Sequence, residues 1–422
     1  MKNKSFSLLK GFISRGGLPV LGSGIFVKIA SLFLSVIVAR MLTREEFGAI
    51  SFALMIVTPL IPLSGAGLDV AFLRFSSLID DEISRVKLYW FSMLHGIYFC
   101  VFLIFIFYIV IFANNLQSES RYLYLVILSL LLFSDFILRM IQSFFRVDNN
   151  NSQFAYTGVA RVIVLCITSV IFIYIYGPIG YAFSLVLSPF IVFLIFLNKI
   201  PIKLSGVYTL KSKKSDYYRY GIETGMGAVI SQLPIPIAGI LLGLIMGNDS
   251  DVASYKIVSL IPLTLLFIPQ LFFKSEFVFL TRNHTNCKLI LEYLKSYIKV
   301  NLLFCGLVLL VTYFWGDFIV ECIFGSNYAK HGFMLFLLTL GAVGGLLLRQ
   351  PFGNLNFASG RSDLNVYNSI LTLIINLSLL YFFIGEFGLL GACIGTAITF
   401  WVSGLINLLT YFHYVFNRLT HQ

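Results

Sequence analysis

The chain is written in long apolar blocks separated by short polar stretches. Twelve blocks fall near residues 18–39, 47–67, 88–112, 121–145, 154–176, 179–198, 220–246, 252–273, 298–316, 332–350, 364–384 and 388–412. Each is about 20 residues long, the length a helix needs to cross a hydrocarbon core. No water reaches the backbone there, so a spanning block must satisfy its own amides and carbonyls as a helix. The pattern predicts an all-α integral membrane protein of about twelve transmembrane helices. The ninth block is the least clean, because Gly316-Asp317 interrupts it before a second apolar run. Lys2, Lys4, Lys10 and Arg15 precede the first block as they would in a signal peptide. That block is too long and lacks a cleavage site, so it reads as a retained first span.

Charge gives the spans a direction. Of the 30 lysines and arginines, 23 fall in segments on the same side as the amino terminus, 4 on the opposite side, and Lys28, Arg161 and Lys256 within spans. The positive-inside rule then predicts both chain ends in the cytoplasm. The net charge of +11 follows from this bias and from attraction to anionic membrane lipids, with no nucleic-acid partner implied. Only 12% of residues are charged and 58% are hydrophobic, which excludes a soluble class. External loops are short, the longest near 316–331.

Nothing points to an enzyme. The six cysteines, at 100, 166, 287, 305, 322 and 393, form no CxxC pair, and the five histidines have no ligand spacing. There is no Walker A sequence, nucleophile elbow or dinucleotide fingerprint, so no catalytic residue, metal or cofactor is expected.

Two segments repeat. Residues 41–57 align with 246–262 at an offset of 205, and Tyr176-Gly177-Pro178-Ile179-Gly180 matches Phe387-Gly388-Leu389-Leu390-Gly391 at an offset of 211. These matches predict two parallel six-helix repeats around a central cavity. The expected division is an amino-terminal bundle over 1–200, a basic cytoplasmic linker over 201–218 and a carboxy-terminal bundle over 219–422.

Several segments resemble the polysaccharide transporter family, the Wzx-type flippases of the MOP exporter superfamily. They are Ala39-Arg40-Met41-Leu42-Thr43 followed by Glu45, Glu46, Phe47, Gly48 and Ala49; Ile323-Phe324-Gly325-Ser326-Asn327-Tyr328; Ala358-Ser359-Gly360-Arg361; and Asn376 ahead of Gly388-Leu389-Leu390-Gly391-Ala392. Their order and spacing suit the family over most of the chain. The resemblance implies a multi-pass protein of the bacterial inner membrane. Its implied substrate is an undecaprenyl-pyrophosphate-linked oligosaccharide, moved from the inner to the outer leaflet. A polysaccharide polymerase and a chain-length regulator are the implied partners.

Ionisable side chains at bilayer depth are functional candidates, because each costs about 2.5–3.5 kcal/mol to insert. Asp135, Arg139, Gln142 and Arg146 share one face of the fourth span at i, i+4, i+7 and i+11. The stripe either lines an aqueous lumen or contains a self-satisfied Asp135–Arg139 pair. Lys28, Arg139, Arg161 and Lys256 are candidate cavity cations for a pyrophosphate; Asp135 and Glu223 are candidate coupling acids. Pro59 and Pro62 in the second span and Pro234 and Pro236 in the seventh remove backbone donors and are candidate hinges. A drug or cation antiporter would need an acidic cavity, and a membrane glycosyltransferase or O-antigen polymerase would need a large external loop.

Overall fold

The computed structural model describes residues 17–113, 119–201, 214–266, 280–281 and 283–416. The amino-terminal lysines and Arg15, the linker residues 202–213, Lys274, Arg282 and Arg418 lie outside them. Every regular element among the described residues is a helix. In order they are α1 (Gly17–Met41), α2 (Arg44–Val57), a 3-10 segment (Thr58–Gly67), α3 (Leu68–Ser76), α4 (Glu82–Ala113), α5 (Glu119–Ser129), α6 (Leu131–Val147), α7 (Asn151–Tyr176) and α8 (Pro178–Leu197). There follow α9 (Lys214–Gln232), α10 (Ile237–Met246), α11 (Asp249–Leu265), α12 (Cys287–Phe324), α13 (Gly332–Gly344), a π turn (Gly345–Arg349), α14 (Gln350–Ala358) and α15 (Ser362–Tyr411). Nine described helices are long and apolar enough to cross a membrane, or ten with the bent α9–α10 pair.

The helix starts are encoded locally. Thr43 and Glu46 form a reciprocal capping box ahead of α2: the Thr43 amide donates to Glu46 Oε2 at 2.9 Å, and the Glu46 amide to Thr43 Oγ1 at 3.3 Å. Asn150, Asn248 and Asn286 accept a backbone amide at the starts of α7, α11 and α12, at 3.1, 3.0 and 3.1 Å.

The largest departures from the expected boundaries are at the second and ninth spans. The second span continues to Ser76, beyond the expected end at 67, because Ser64–Gly67 is an internal kink. The ninth starts at Cys287 and runs through Gly316-Asp317 to Phe324, with only Trp315 distorted. Asp317 stays in the helix, and its Oδ1 accepts the Gly332 amide at 2.8 Å. The last two spans, labelled together as α15, are two helical arms that meet in a reversal at Gly388 (φ 53, ψ −127), the residue at which the twelfth block is expected to begin.

That reversal carries the clearest trace of the repeat. Gly177, between α7 and α8, has φ 61 and ψ −144, nearly the Gly388 conformation, and lies 211 residues earlier. Both are backbone shapes that side chains disfavour. Three residues on, Gly180 packs against the Phe172 carbonyl and Gly391 against the Phe383 carbonyl, again 211 apart, and neither position has room for a methyl group.

The chain forms two compact units. Unit 1 comprises Met1–Leu42 and Ala53–Val229; unit 2 comprises Thr43–Phe52 and Ile230–Gln422. The start of α2 thus belongs to unit 2, and most of α9 to unit 1. Unit 1 is cored by Phe72, Leu88, Tyr89, Phe136, Met140 and Tyr217, all fully buried. Within unit 2, the starts of α2 and α11 pack closely enough that Gly48 touches the Asp249 carbonyl, and Arg44 donates to Ser254 Oγ at 2.6 Å.

Candidate functional site

In unit 1 the second span is broken by its own sequence. Pro59 and Pro62 supply no backbone donors, so the Thr58–Gly67 stretch cannot continue an α-helix. The chain leaves helical geometry at Ser64 (ψ 141) and passes through three positive φ angles: 62 at Gly65, 54 at Ala66 and 64 at Gly67. Ala66 has a Cβ, and the left-handed region costs such a residue roughly 1–2 kcal/mol. Something must hold the segment there.

Arg139 holds it. From α6 its Nη2 donates to the Ile61 carbonyl at 2.6 Å and to Ser64 Oγ at 2.7 Å, while Nη1 donates to Asp69 Oδ2 at 2.7 Å. Nε lies 3.2 Å from Asp135 Oδ2, one turn back on the same helix. Asp135 also pairs with Arg161 of α7, Oδ1 to Nη1 at 2.6 Å. Asp69, Arg139, Asp135 and Arg161 thus form an ionic chain with two acids and two bases. The Asp135 and Asp69 side chains are only 4% and 6% exposed, whereas Arg161 is 34% exposed. Gln142 donates to Thr157 Oγ1 at 3.2 Å, and Arg146 lies over the Phe154 ring at 5.5 Å.

The structure brings together three of the candidates, Asp135, Arg139 and Arg161. The other candidates lie on other elements. Lys28 is exposed on α1, which packs along the helix carrying Arg161. Glu223 is exposed on α9 and pairs with Arg219 at 2.7 Å, in one helical turn. Lys256 lies in unit 2, half-buried on α11, and its ammonium has no hydrogen-bond or ion-pair partner among the described residues. Pro59 and Pro62 fall in the broken segment; Pro234 and Pro236 fall in the break between α9 and α10, where the axis bends by 63°. No group of three metal-ligating side chains occurs among the described residues.

Asp69 lies beyond residue 67, where the apolar pattern ends span 2, so the sequence alone does not single it out. Its local signal was an acid two residues after Gly-Ala-Gly in an otherwise apolar run. Unit 2 holds a second unanticipated feature. Asn368 Nδ2 donates to Asn407 Oδ1 at 3.1 Å and Thr410 Oγ1 at 2.9 Å, Thr372 Oγ1 to Ser403 Oγ at 3.3 Å, and Asn376 Nδ2 to Thr399 Oγ1 at 2.8 Å. These pairs join the two arms of α15 in a buried, uncharged ladder. The sequence signal was Asn368, Thr372 and Asn376 at i, i+4 and i+8, one helical face.

Known proteins share this architecture. Over 94% of the chain, the fold matches 88% of the lipid II flippase MurJ in an inward closed conformation, with TM-score 0.74 and 16% identity. It matches 95% of an inward-facing multidrug resistance MATE transporter of the MOP superfamily over 94% of this chain, with TM-score 0.65 and 16% identity. At such identities the likeness shows the fold, that of the MOP-superfamily transporters. In sequence, a putative O-antigen transporter of Shigella flexneri is 26% identical over 206 residues, covering 49% of each chain. The chain spans about half the length of that curated relative. These proteins are transporters and flippases rather than enzymes. Residues 13–273, more than half of the chain, match the family described as polysaccharide biosynthesis protein, and this multi-pass membrane protein belongs to that family.

Proposed function

We propose that the protein is a flippase. It carries an undecaprenyl-pyrophosphate-linked oligosaccharide, an O-antigen-type repeat unit, from the cytoplasmic to the periplasmic leaflet by alternating access. The observation that carries this reading is Lys256: a lysine half-buried on the largely apolar helix α11, without an acid among the described residues to neutralise it. A half-buried cation without an acid partner favours an anionic ligand such as a pyrophosphate. Arg161, which is partly exposed, and the exposed Lys28 are further cations for the same ligand. Arg139 has its donors committed to protein groups, so its role here is to position the broken span.

A cation antiporter finds less support, because both buried acids of unit 1 are already paired with arginines. In this proposal the chain ends and the 202–213 linker face the cytoplasm, and Asn248–Asp251 faces the periplasm.

The test is export in a strain lacking its own flippase, read as surface polysaccharide. Lys256→Ala should abolish export at normal membrane abundance, and Lys256→Arg should retain part of it. Normal export in Lys256→Ala, Arg161→Ala and Lys28→Ala alike would overturn the proposal. Cysteine labelling in intact cells tests the orientation: an impermeant reagent should reach Asp251→Cys and not Lys213→Cys.

A further inference from the structure

The first half of α9 is seated on the broken segment of span 2. Gly221 and Gly225, one turn apart, face it without side chains. A Cβ at Gly221 would lie 2.6 Å from the Ala66 carbonyl oxygen, and one at Gly225 would lie 3.0 Å from the Pro62 carbonyl oxygen. The seat is completed around them. Tyr217 Oη meets Ser92 Oγ at 2.5 Å, Phe75 packs edge-on against Tyr217 and Tyr220, and Arg74 lies 4.4 Å from the Tyr220 ring centre. The surface that α9 reads is therefore backbone, and its shape exists only while Pro62–Gly67 stays unwound.

Arg139 fixes that shape from the other side. Its guanidinium binds Ile61 and Ser64 within the segment and is itself anchored by Asp69 and Asp135. Beyond Val229 the chain passes into unit 2, and the 63° bend at residues 233–236 follows at once.

We infer that Arg139 is a positioning residue that pins the first half of α9 to unit 1, acting through the unwound Pro62–Gly67 segment. Held this way, α9 moves as part of unit 1, and the chain flexes at Leu233–Pro236. The role in transport rests on the flippase reading; the pinning itself does not.

The test uses spin labels on the full-length protein in lipid nanodiscs, on a background without native cysteines. One pair, at exposed Ile222 and Ile109, reports α9 against α4; a control pair, at Ile109 and Ile167, reports unit 1 without α9. The native protein should give one narrow distance for each pair. Arg139→Ala should broaden the Ile222–Ile109 distribution and leave the control narrow. Arg139→Lys should do the same less severely, since one ammonium cannot reach all four partners. Gly221→Ala leaves the ionic chain intact but blocks the seat, so it should broaden the first pair even if Arg139→Ala fails to accumulate. Adding Arg139→Ala to Gly221→Ala should broaden it no further.

An unchanged Ile222–Ile109 distance in Arg139→Ala or in Gly221→Ala overturns the proposal. Broadening of both pairs does so too, because Arg139 would then support the whole unit. None of these readings depends on export, so the proposal can fail while the flippase reading stands, and the reverse.

Discussion

The broken span of unit 1 is held by charges, whereas the two arms of α15 in unit 2 are held together by amides and hydroxyls. Unit 1 contains a span whose backbone is broken, and the Ile61 carbonyl there accepts from the Ser64 hydroxyl at 2.7 Å and from the Arg139 guanidinium at 2.6 Å. A guanidinium supplies several donors in a fixed plane, but it must then be neutralised, and Asp69 and Asp135 do so. The arms of α15 are intact helices apart from the turn at Gly388. They need only to be held in register, which neutral side chains can do. The ladder hydroxyls also have fallback partners within their own helix: Thr399 donates to the Gly395 carbonyl at 2.8 Å and Thr410 to the Ile406 carbonyl at 2.9 Å. Charge gives unit 1 a strong but unforgiving joint, and unit 2 a weaker, redundant one.

If that contrast is right, deleting one charge should do the most damage. Asp135→Ala leaves Arg161 without its carboxylate and Arg139 with one fewer, at an expected cost of roughly 3–5 kcal/mol. Membrane abundance and the unfolding temperature in detergent should both fall sharply. Asp135→Ala combined with Arg161→Ala should recover part of the loss, and a double variant no better than the single would break the charge account.

Next come the shared turns, where the units should behave alike. Gly180→Ala and Gly391→Ala each force a methyl group into a carbonyl, costing roughly 1–3 kcal/mol by overpacking. Similar drops in unfolding temperature would show that the repeat is energetic as well as geometric. A drop in only one would separate the halves.

A smaller effect is expected in the ladder. Asn376→Ala removes one interhelical bond whose partner already has another, and such bonds contribute about 0.6 kcal/mol on average in a membrane. A loss as large as that of Asp135→Ala would erase the distinction between the units.

The smallest effect concerns an exposed charge. Asp81, just before α4, accepts from the Ser84 hydroxyl at 2.5 Å and the Ser84 amide at 2.9 Å. These bonds hold its carboxyl below the ordinary 3.8. Its contribution is therefore present above that pH and fades as the pH falls through the lowered folded-state value. The difference in unfolding temperature between native protein and Asp81→Ala should be slight at neutral pH and vanish in acid, in contrast to the large effect of the buried acids.

The spans were legible in the sequence because bilayer thickness sets their length, and the Gly177 and Gly388 turns because their surroundings repeat at one offset. The i, i+4 relation of Asp135 and Arg139 was legible for the same local reason. Their partners were not. Asp69 and Arg139 are separated by 70 residues, and no short-range pattern links them. Ser64-Gly65-Ala66-Gly67 has the composition of a helix end, and only tertiary packing turns it into a kink within a span. Lys256 is visible as a charge in an apolar block; its lack of an acid partner among the described residues needs coordinates.

The exchange of helix ends between the units has a consequence for the order of synthesis. Thr43–Phe52 leaves the ribosome long before the rest of unit 2, which begins at Ile230. At about 5–20 residues per second, the wait is roughly 10–35 seconds. During that interval the α2 start has none of its later neighbours from unit 2. Its Thr43–Glu46 capping box satisfies its own backbone without them, so a nascent chain can hold this stretch folded until the ribosome delivers its partner.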